Sequence, residues 1–79
     1  MEFVRGMVVR ATAGRDQGGF FTVLSVEEGY AMICNGKRRP LEHPKKKKLK
    51  HLAPTHTVVP EQSMGTNREI RKALAAFQG

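Results

Sequence analysis

Short apolar runs separated by glycine-rich turns fill residues 6–41 and constrain the fold of this chain more than any other feature. Three of them are rich in β-branched and aromatic residues and have the length of β-strands: residues 7–12, 20–26 and 30–34. Asn35 and Gly36 then predict a two-residue type I′ turn, because both positions of that turn need positive φ. The second strand of this hairpin would be residues 37–41, and a last short strand is expected over residues 49–52. Together these strands predict a mainly β fold, a small five-stranded barrel.

The second predicted strand is apolar on both faces. Phe21 and Val23 alternate along it with Phe20 and Leu24. Because successive side chains of a strand point to opposite faces, one pair can fill a barrel while the other pair needs a cover.

The C-terminal residues supply a candidate cover. Thr66 and Glu69 have the spacing of a capping box, in which each side chain accepts a hydrogen bond from the backbone N–H of the other residue. Four apolar residues then recur at i, i+3, i+4 and i+7, on one helical face: Ile70, Ala73, Leu74 and Phe77. We therefore predict an α-helix over residues 66–79, ending at Gly79. A helix of about three turns is too short to persist alone in water, so it should dock on the barrel, which we favour, or on a partner.

The stretch before the helix contains Pro54 and Pro60 and has no periodicity, which is typical of an extended linker. The predicted organisation is therefore a barrel over residues 1–53 that contains a basic segment at 37–50, a linker over 54–65 and the helix over 66–79.

Charge is concentrated in that basic segment. The chain has 14 Lys and Arg against 7 Asp and Glu, a net charge of +7, and residues 37–50 alone carry eight basic residues against Glu42. This density favours a polyanionic partner, and the alternative is a solvated run that only keeps the protein soluble. Pro44 stiffens one end of the lysine run while Leu49 and Leu52 anchor the other, which favours a positioned binding surface.

The residues predicted to contact this polyanion are all basic and form three groups. These are Arg10 and Arg15 at one edge, Lys37, Arg38 and Arg39 on the hairpin, and Lys45, Lys46, Lys47, Lys48 and Lys50 in a ribbon that follows phosphates. Guanidinium groups suit bidentate phosphate or guanine contacts better than lysines do. The aromatic residues Phe20, Phe21 and Tyr30 could stack on bases, although a packing role is favoured, so recognition would depend on shape and phosphates.

Residues 8–24 form a strand, a glycine-bearing loop with Gly14, Arg15 and Gly18, and a second strand. This stretch resembles the KOW motif of ribosomal proteins and transcription elongation factors. With residues 39–52 and 66–74, the similarity extends to the small bacterial KOW-domain RNA-binding proteins. These are related to a KOW-containing large-subunit ribosomal protein of archaea and eukaryotes. The resemblance covers about residues 5–77, has no recognisable motif in the linker, and implies an SH3-like barrel that binds RNA, often rRNA.

Other chemistries find little support in the sequence. No Ser/His/Asp or Cys/His set is evident, so we expect no enzymatic activity and no cofactor. The spacing of His43, His51 and His56 matches no zinc pattern, so no metal site is expected. Cys34 is the only cysteine and cannot form an internal disulfide, which suits a reducing compartment.

Two rival interpretations of the same features remain open. The barrel and helix could form a protein-interaction module on a translation or transcription machine, with Ile70, Leu74 and Phe77 facing the partner. The lysine run could instead attach to an anionic membrane surface, although no apolar anchor or lipidation signal accompanies it. We expect no membrane association, a cytoplasmic location, and a protein that is monomeric until it binds rRNA, the ribosome or ribosomal proteins.

Overall fold

A computed structural model describes residues 2–78 and shows the predicted mainly β fold, with a barrel-like sheet of five antiparallel strands and a C-terminal helix. The elements are β1 (Met7–Ala11), β2 (Phe20–Glu27), β3 (Tyr30–Cys34), β4 (Lys45–Lys48), β5 (Leu52–Val58) and α1 (Asn67–Gln78). Two short 3₁₀ turns complete the fold, at Leu49–His51 and Glu61–Ser63. The predicted helix end at Gly79 lies outside the described residues.

The strands lie in the order β4-β3-β2-β1-β5, so the two edge strands are consecutive in the chain. The 3₁₀ turn Leu49–His51 joins them and is hydrogen-bonded to both neighbouring loops. The Leu49 amide donates to the Gly29 carbonyl at 3.0 Å, and the Thr12 amide donates to the His51 carbonyl at 2.9 Å. This turn therefore carries the chain from one edge of the sheet to the other and brings both edges around one core.

The two apolar faces of β2 serve two separate clusters. Phe21 and Val23 are buried inside the sheet with residues such as Val9 and Ile33. Phe20 and Leu24, on the opposite face, pack against the cluster beneath the helix. The pairing register of β2 with β3 shifts between Val23 and Ser25, and such a bulge bends a strand and increases its twist.

Helix α1 is the cover that β2 needs. Ile70 and Leu74 are buried against the outer side of the sheet, and the rings of Phe20 and Phe77 lie 5.5 Å apart between centroids. The Thr66 hydroxyl accepts a hydrogen bond from the Glu69 amide at 3.1 Å, the N-terminal cap that the sequence predicts. Docking of the helix on the barrel is thus confirmed. Within residues 2–78 no helix has the length and apolar character needed to cross a membrane.

The predicted hairpin at Asn35-Gly36 is wrong. Gly36 has a φ of +79°, but among the described residues positive φ is confined to glycines, so Asn35 does not adopt the type I′ conformation. Residues 37–41 form a loop, and the strand that pairs with β3 is β4, beginning at Lys45. The reason is local, because the Asn35 side chain accepts hydrogen bonds from backbone amides within the loop and stabilises a wider turn.

The predicted linker over 54–65 and the predicted strand over 49–52 are also wrong in part. Strand β5 spans Leu52–Val58 and pairs with β1 at one edge of the sheet. Pro54 lies in this strand opposite Val9, and an edge strand tolerates the missing N–H of proline. The barrel therefore extends beyond residue 53, and residues 49–51 form a 3₁₀ turn.

Candidate nucleic-acid interface

The loop that follows β3 is organised by the side chain of Asn35. Its Oδ1 accepts hydrogen bonds from the amides of Lys37 and Arg39, both at 3.0 Å. The backbone N–H of Asn35 donates to the Arg39 carbonyl at 2.8 Å and closes the loop. Lys37 and Arg38 are exposed at the tip of this closed loop. A loop held at both ends presents its basic side chains at a lower entropic cost than a disordered tail would.

An ion pair connects this loop to the loop between β1 and β2. The Arg39 Nη2 lies 3.1 Å from the Asp16 Oδ2, and only 3% of the Asp16 side chain is exposed. The Nε of Arg39 is buried and makes no hydrogen bond to any described residue. Arg39 therefore holds two loops together, a structural role that the sequence did not predict, and its phosphate contact stays a prediction.

A cleft of about 390 Å³ lies between these two loops. Arg15, Lys37 and Arg38 line it, together with uncharged residues and Asp16. Because Arg39 already neutralises Asp16, the accessible charge of the cleft is positive. Among residues 2–78, no salt bridge engages Arg15, Lys37 or Arg38. The cleft therefore brings together three of the predicted contact residues from two distant segments of the chain.

A second cleft of about 330 Å³ adjoins the first and shares Asn35 and Lys37 with it. Its other wall is helix α1, which contributes Arg68, Arg71 and Lys72. Sequence reasoning missed these three residues, because residues 51–79 carry little net charge as a whole. The signal was nevertheless present, since positions 68, 71 and 72 are spaced i, i+3 and i+4 and share one helical face.

The loop and the helix touch directly beside this second cleft. The Arg71 Nη1 donates a hydrogen bond to the Gly36 carbonyl at 2.7 Å. A Cβ placed on Gly36 would lie 2.5 Å from the carbonyl oxygen of Asn67, so only glycine permits this approach. The Asn67 side chain adds a further link, because its Oδ1 accepts from the Leu41 amide at 2.8 Å and its Nδ2 donates to Glu42 at 2.9 Å. The bond from Asn67 lowers the pKa of Glu42 below its ordinary value.

The lysine run is a β-strand and not a uniform ribbon. Lys46 and Lys48 are exposed, Lys45 is half-buried and Lys47 is buried, as strand alternation requires. The Lys47 Nζ donates to the Ala13 carbonyl at 2.7 Å, so this side chain is turned into the fold, whereas the sequence places it on a surface ribbon. The Lys46 Nζ lies 4.7 Å from the centroid of the Tyr30 ring, a cation–π geometry.

The two remaining predicted residues lie outside both clefts. Arg10 is exposed on β1, where its register partner is Phe20, so its side chain projects from the face that the helix partly covers. Lys50 is exposed in the 3₁₀ turn between β4 and β5. The predicted set is thus divided among the clefts, the ion pair of Arg39, both faces of β4 and isolated positions.

Comparison of the sequence with known proteins does not assign the chain to a family. No protein-family model matches the sequence. No curated protein matches it either. Within residues 2–78, no three His, Cys, Asp or Glu side chains come together as ligands for a metal ion.

Proposed function

We propose that this chain is an RNA-binding module that contacts structured RNA through the basic residues around the loop at 35–39. The KOW resemblance suggests rRNA of the large ribosomal subunit as the target. The observation that carries the proposal is the first cleft, where Arg15, Lys37 and Arg38 converge from two loops without a salt bridge among the described residues. Chain positions more than twenty residues apart here build one positive surface.

Such a surface suits a phosphate backbone. Each lysine or arginine that neutralises a phosphate releases condensed counterions, and this release supplies much of the binding free energy at moderate salt. Arg15 and Arg38 add planar guanidinium groups that can hold two phosphate oxygens at once. The hydrogen-bonded loop backbones limit where these side chains can reach, which favours RNA of a particular shape.

Base stacking has little support as the main mode of recognition. Phe21 is buried and Phe20 packs on Phe77, so neither ring is free. Tyr30 is half-buried, and the ammonium group of Lys46 lies over its ring. These contacts support recognition through shape and phosphates, as is common for structured RNA.

The protein-interaction alternative loses the docking face that the sequence suggested for it. Ile70 and Leu74 are buried on the barrel, and Phe77 packs on Phe20. A partner would have to displace this packing to reach the apolar face of the helix, whereas the basic clefts are open to an anionic ligand.

The test is the affinity of the double variant Arg15→Gln with Arg38→Gln for a fluorescently labelled large-subunit rRNA fragment, measured by anisotropy. We expect binding to weaken at least tenfold, because the loss of even one charge-assisted hydrogen bond, about 1.5–3 kcal/mol, corresponds to a factor of ten or more. The matched control is Thr57→Glu with Gln62→Glu, which lowers the net charge equally at exposed positions outside both clefts. Equal losses in the two double variants would reject the cleft as the contact surface.

The lysines of β4 are tested separately with Lys46→Ser and Lys48→Ser, which leave the buried Lys47 in place. If the outer face of β4 also touches RNA, this variant will bind more weakly than the charge-matched control. Binding at the level of that control would exclude the outer face of β4 from the RNA contact.

A further inference from the structure

We propose that the cleft between the loop at 35–37 and helix α1 is a groove for one sugar–phosphate strand of the bound RNA. This inference rests on the proposed RNA binding and adds a site on the helix. The cleft has basic residues on both walls, Lys37 on the loop and Arg68 with Lys72 on the helix. No carboxylate is among the described residues that line it.

The spacing of the helical residues suits successive phosphates. Arg68 and Lys72 are four residues apart, which corresponds to about 6 Å along the helix axis. Two cations at that separation on one helical face can each contact a different, neighbouring phosphate of a strand more readily than they can share a single phosphate. Neither Arg68 nor Lys72 forms a salt bridge with another described residue, so both are free to contact phosphates.

Arg71 supplies a pre-organised group at the junction of the two walls. Its Nη1 is held by the Gly36 carbonyl at 2.7 Å, which restricts the guanidinium group to one position. A guanidinium group carries five N–H donors, so this bond leaves others for a phosphate oxygen. A fixed donor loses less conformational entropy on binding than a mobile lysine does.

The size and remaining lining of the cleft suit one sugar–phosphate strand. Its volume of about 330 Å³ is at the small end of the range for ligand pockets, which starts at roughly 300 Å³. A short segment of one backbone strand fits this space. Ala75 leaves room on the helical wall, and the amide of Gln78 offers both a donor and an acceptor for the ribose 2′-hydroxyl.

The experiment compares three proteins binding the same labelled rRNA fragment over a range of salt concentrations: the wild type, Arg68→Gln with Lys72→Gln, and Thr57→Glu with Gln62→Glu. Glutamine has nearly the helix propensity of arginine and lysine, so the helix should remain intact. We expect the first double variant to bind roughly tenfold more weakly. The slope of log K against log salt should become shallower by about 1.4–1.8, the contribution of two phosphates.

A second measurement locates the contact directly. Acetylation of Lys72 should be suppressed when RNA is bound, relative to the free protein. An unprotected Lys72, or a salt slope equal to that of the charge-matched control, would overturn the groove. If the groove is overturned but the Arg15→Gln with Arg38→Gln variant binds RNA more weakly than the wild type, the proposed function stands. If the wild type does not bind RNA, both the groove and the proposed function are overturned.

Discussion

Replacement of Gly36 by alanine tests the contact between the loop and helix α1 on which the second cleft depends. Gly36 has a φ of +79°, and an added Cβ would lie 2.5 Å from the Asn67 carbonyl oxygen and 2.9 Å from the Arg71 Cγ. The first of these atoms belongs to the backbone and cannot rotate away. The loop must therefore move from the helix and weaken the Arg71–Gly36 hydrogen bond.

Gly29 provides a matched control, because it has the same φ of +79° and no atom within 4 Å of an added Cβ. Alanine at either position incurs a left-handed backbone cost of about 1–2 kcal/mol. The lower entropy of the unfolded chain offsets about 0.4–1 kcal/mol of this at both sites. What remains different is the overlap at Gly36 and the loss of a hydrogen bond that contributes about 1 kcal/mol.

We therefore expect Gly36→Ala to be less stable than Gly29→Ala by about 2 kcal/mol. Urea unfolding followed by circular dichroism measures this difference, with m-values that should stay equal if both variants unfold in two states. In a domain of this size the difference corresponds to a Tm lower by about 8–16 °C. Equal stabilities for the two variants would refute the close approach of loop and helix.

Three further predictions concern buried or paired side chains. Lys47→Met should destabilise the fold by about 1 kcal/mol in urea unfolding, because the Ala13 carbonyl loses its hydrogen-bond donor. RNA affinity should change by less than about twofold. A large loss of RNA affinity without destabilisation would contradict the structural role of Lys47. The thiol of Cys34 is fully buried, and burial raises its pKa. A thiol reagent should therefore label the native protein only at the rate at which the fold opens around Cys34. Labelling that is complete within the mixing time would contradict this burial. The hydrogen bond from Asn67 lowers the pKa of Glu42. The contribution of Glu42 to the free energy of unfolding is therefore fully present when the pH is above the ordinary pKa of 4.5, and it is lost as the pH falls through the lowered pKa of the folded protein. Asn67→Ala should flatten this acid-side loss in urea unfolding, and an unchanged pH dependence would count against the bond.

The parts of the fold that the sequence predicts correctly are those with local causes. The alternating apolar residues of β2 predict both of its packing faces, and the Thr66 cap with the spacing of Ile70 and Leu74 predicts the helix and its buried side. These patterns depend on the period of one element alone. Sequence reasoning therefore finds them without knowledge of the tertiary structure.

The error at Asn35-Gly36 has a local cause, the hydrogen bonds of the Asn35 side chain. The other errors arise where pairing between distant segments overrides local preference. Residues 45–48 are all lysines, which have little preference for strands, and they form β4 because they pair with β3. That pairing turns every second side chain inward and buries Lys47. Pro54 argues locally against a strand but is accepted at the edge, opposite Val9.

The candidate site is predictable only in part for the same reason. The sequence identifies Arg15 as a basic loop residue and places Lys37 and Arg38 on a hairpin strand, but their convergence depends on the Asp16–Arg39 ion pair between two loops. The helical bases could be found from their spacing, yet their position across a cleft from Lys37 requires the docked helix.

The salt dependence of RNA binding by the wild-type protein tests the central claim most directly. If five phosphates are neutralised by the bases of the two clefts, log K should fall against log salt with a slope of about −3.5 for a single strand to −4.5 for a duplex. An rRNA fragment of the large subunit, titrated at several salt concentrations by anisotropy, gives this slope. A slope close to zero, or no measurable binding at low salt, would contradict the claim that these clefts bind an RNA backbone.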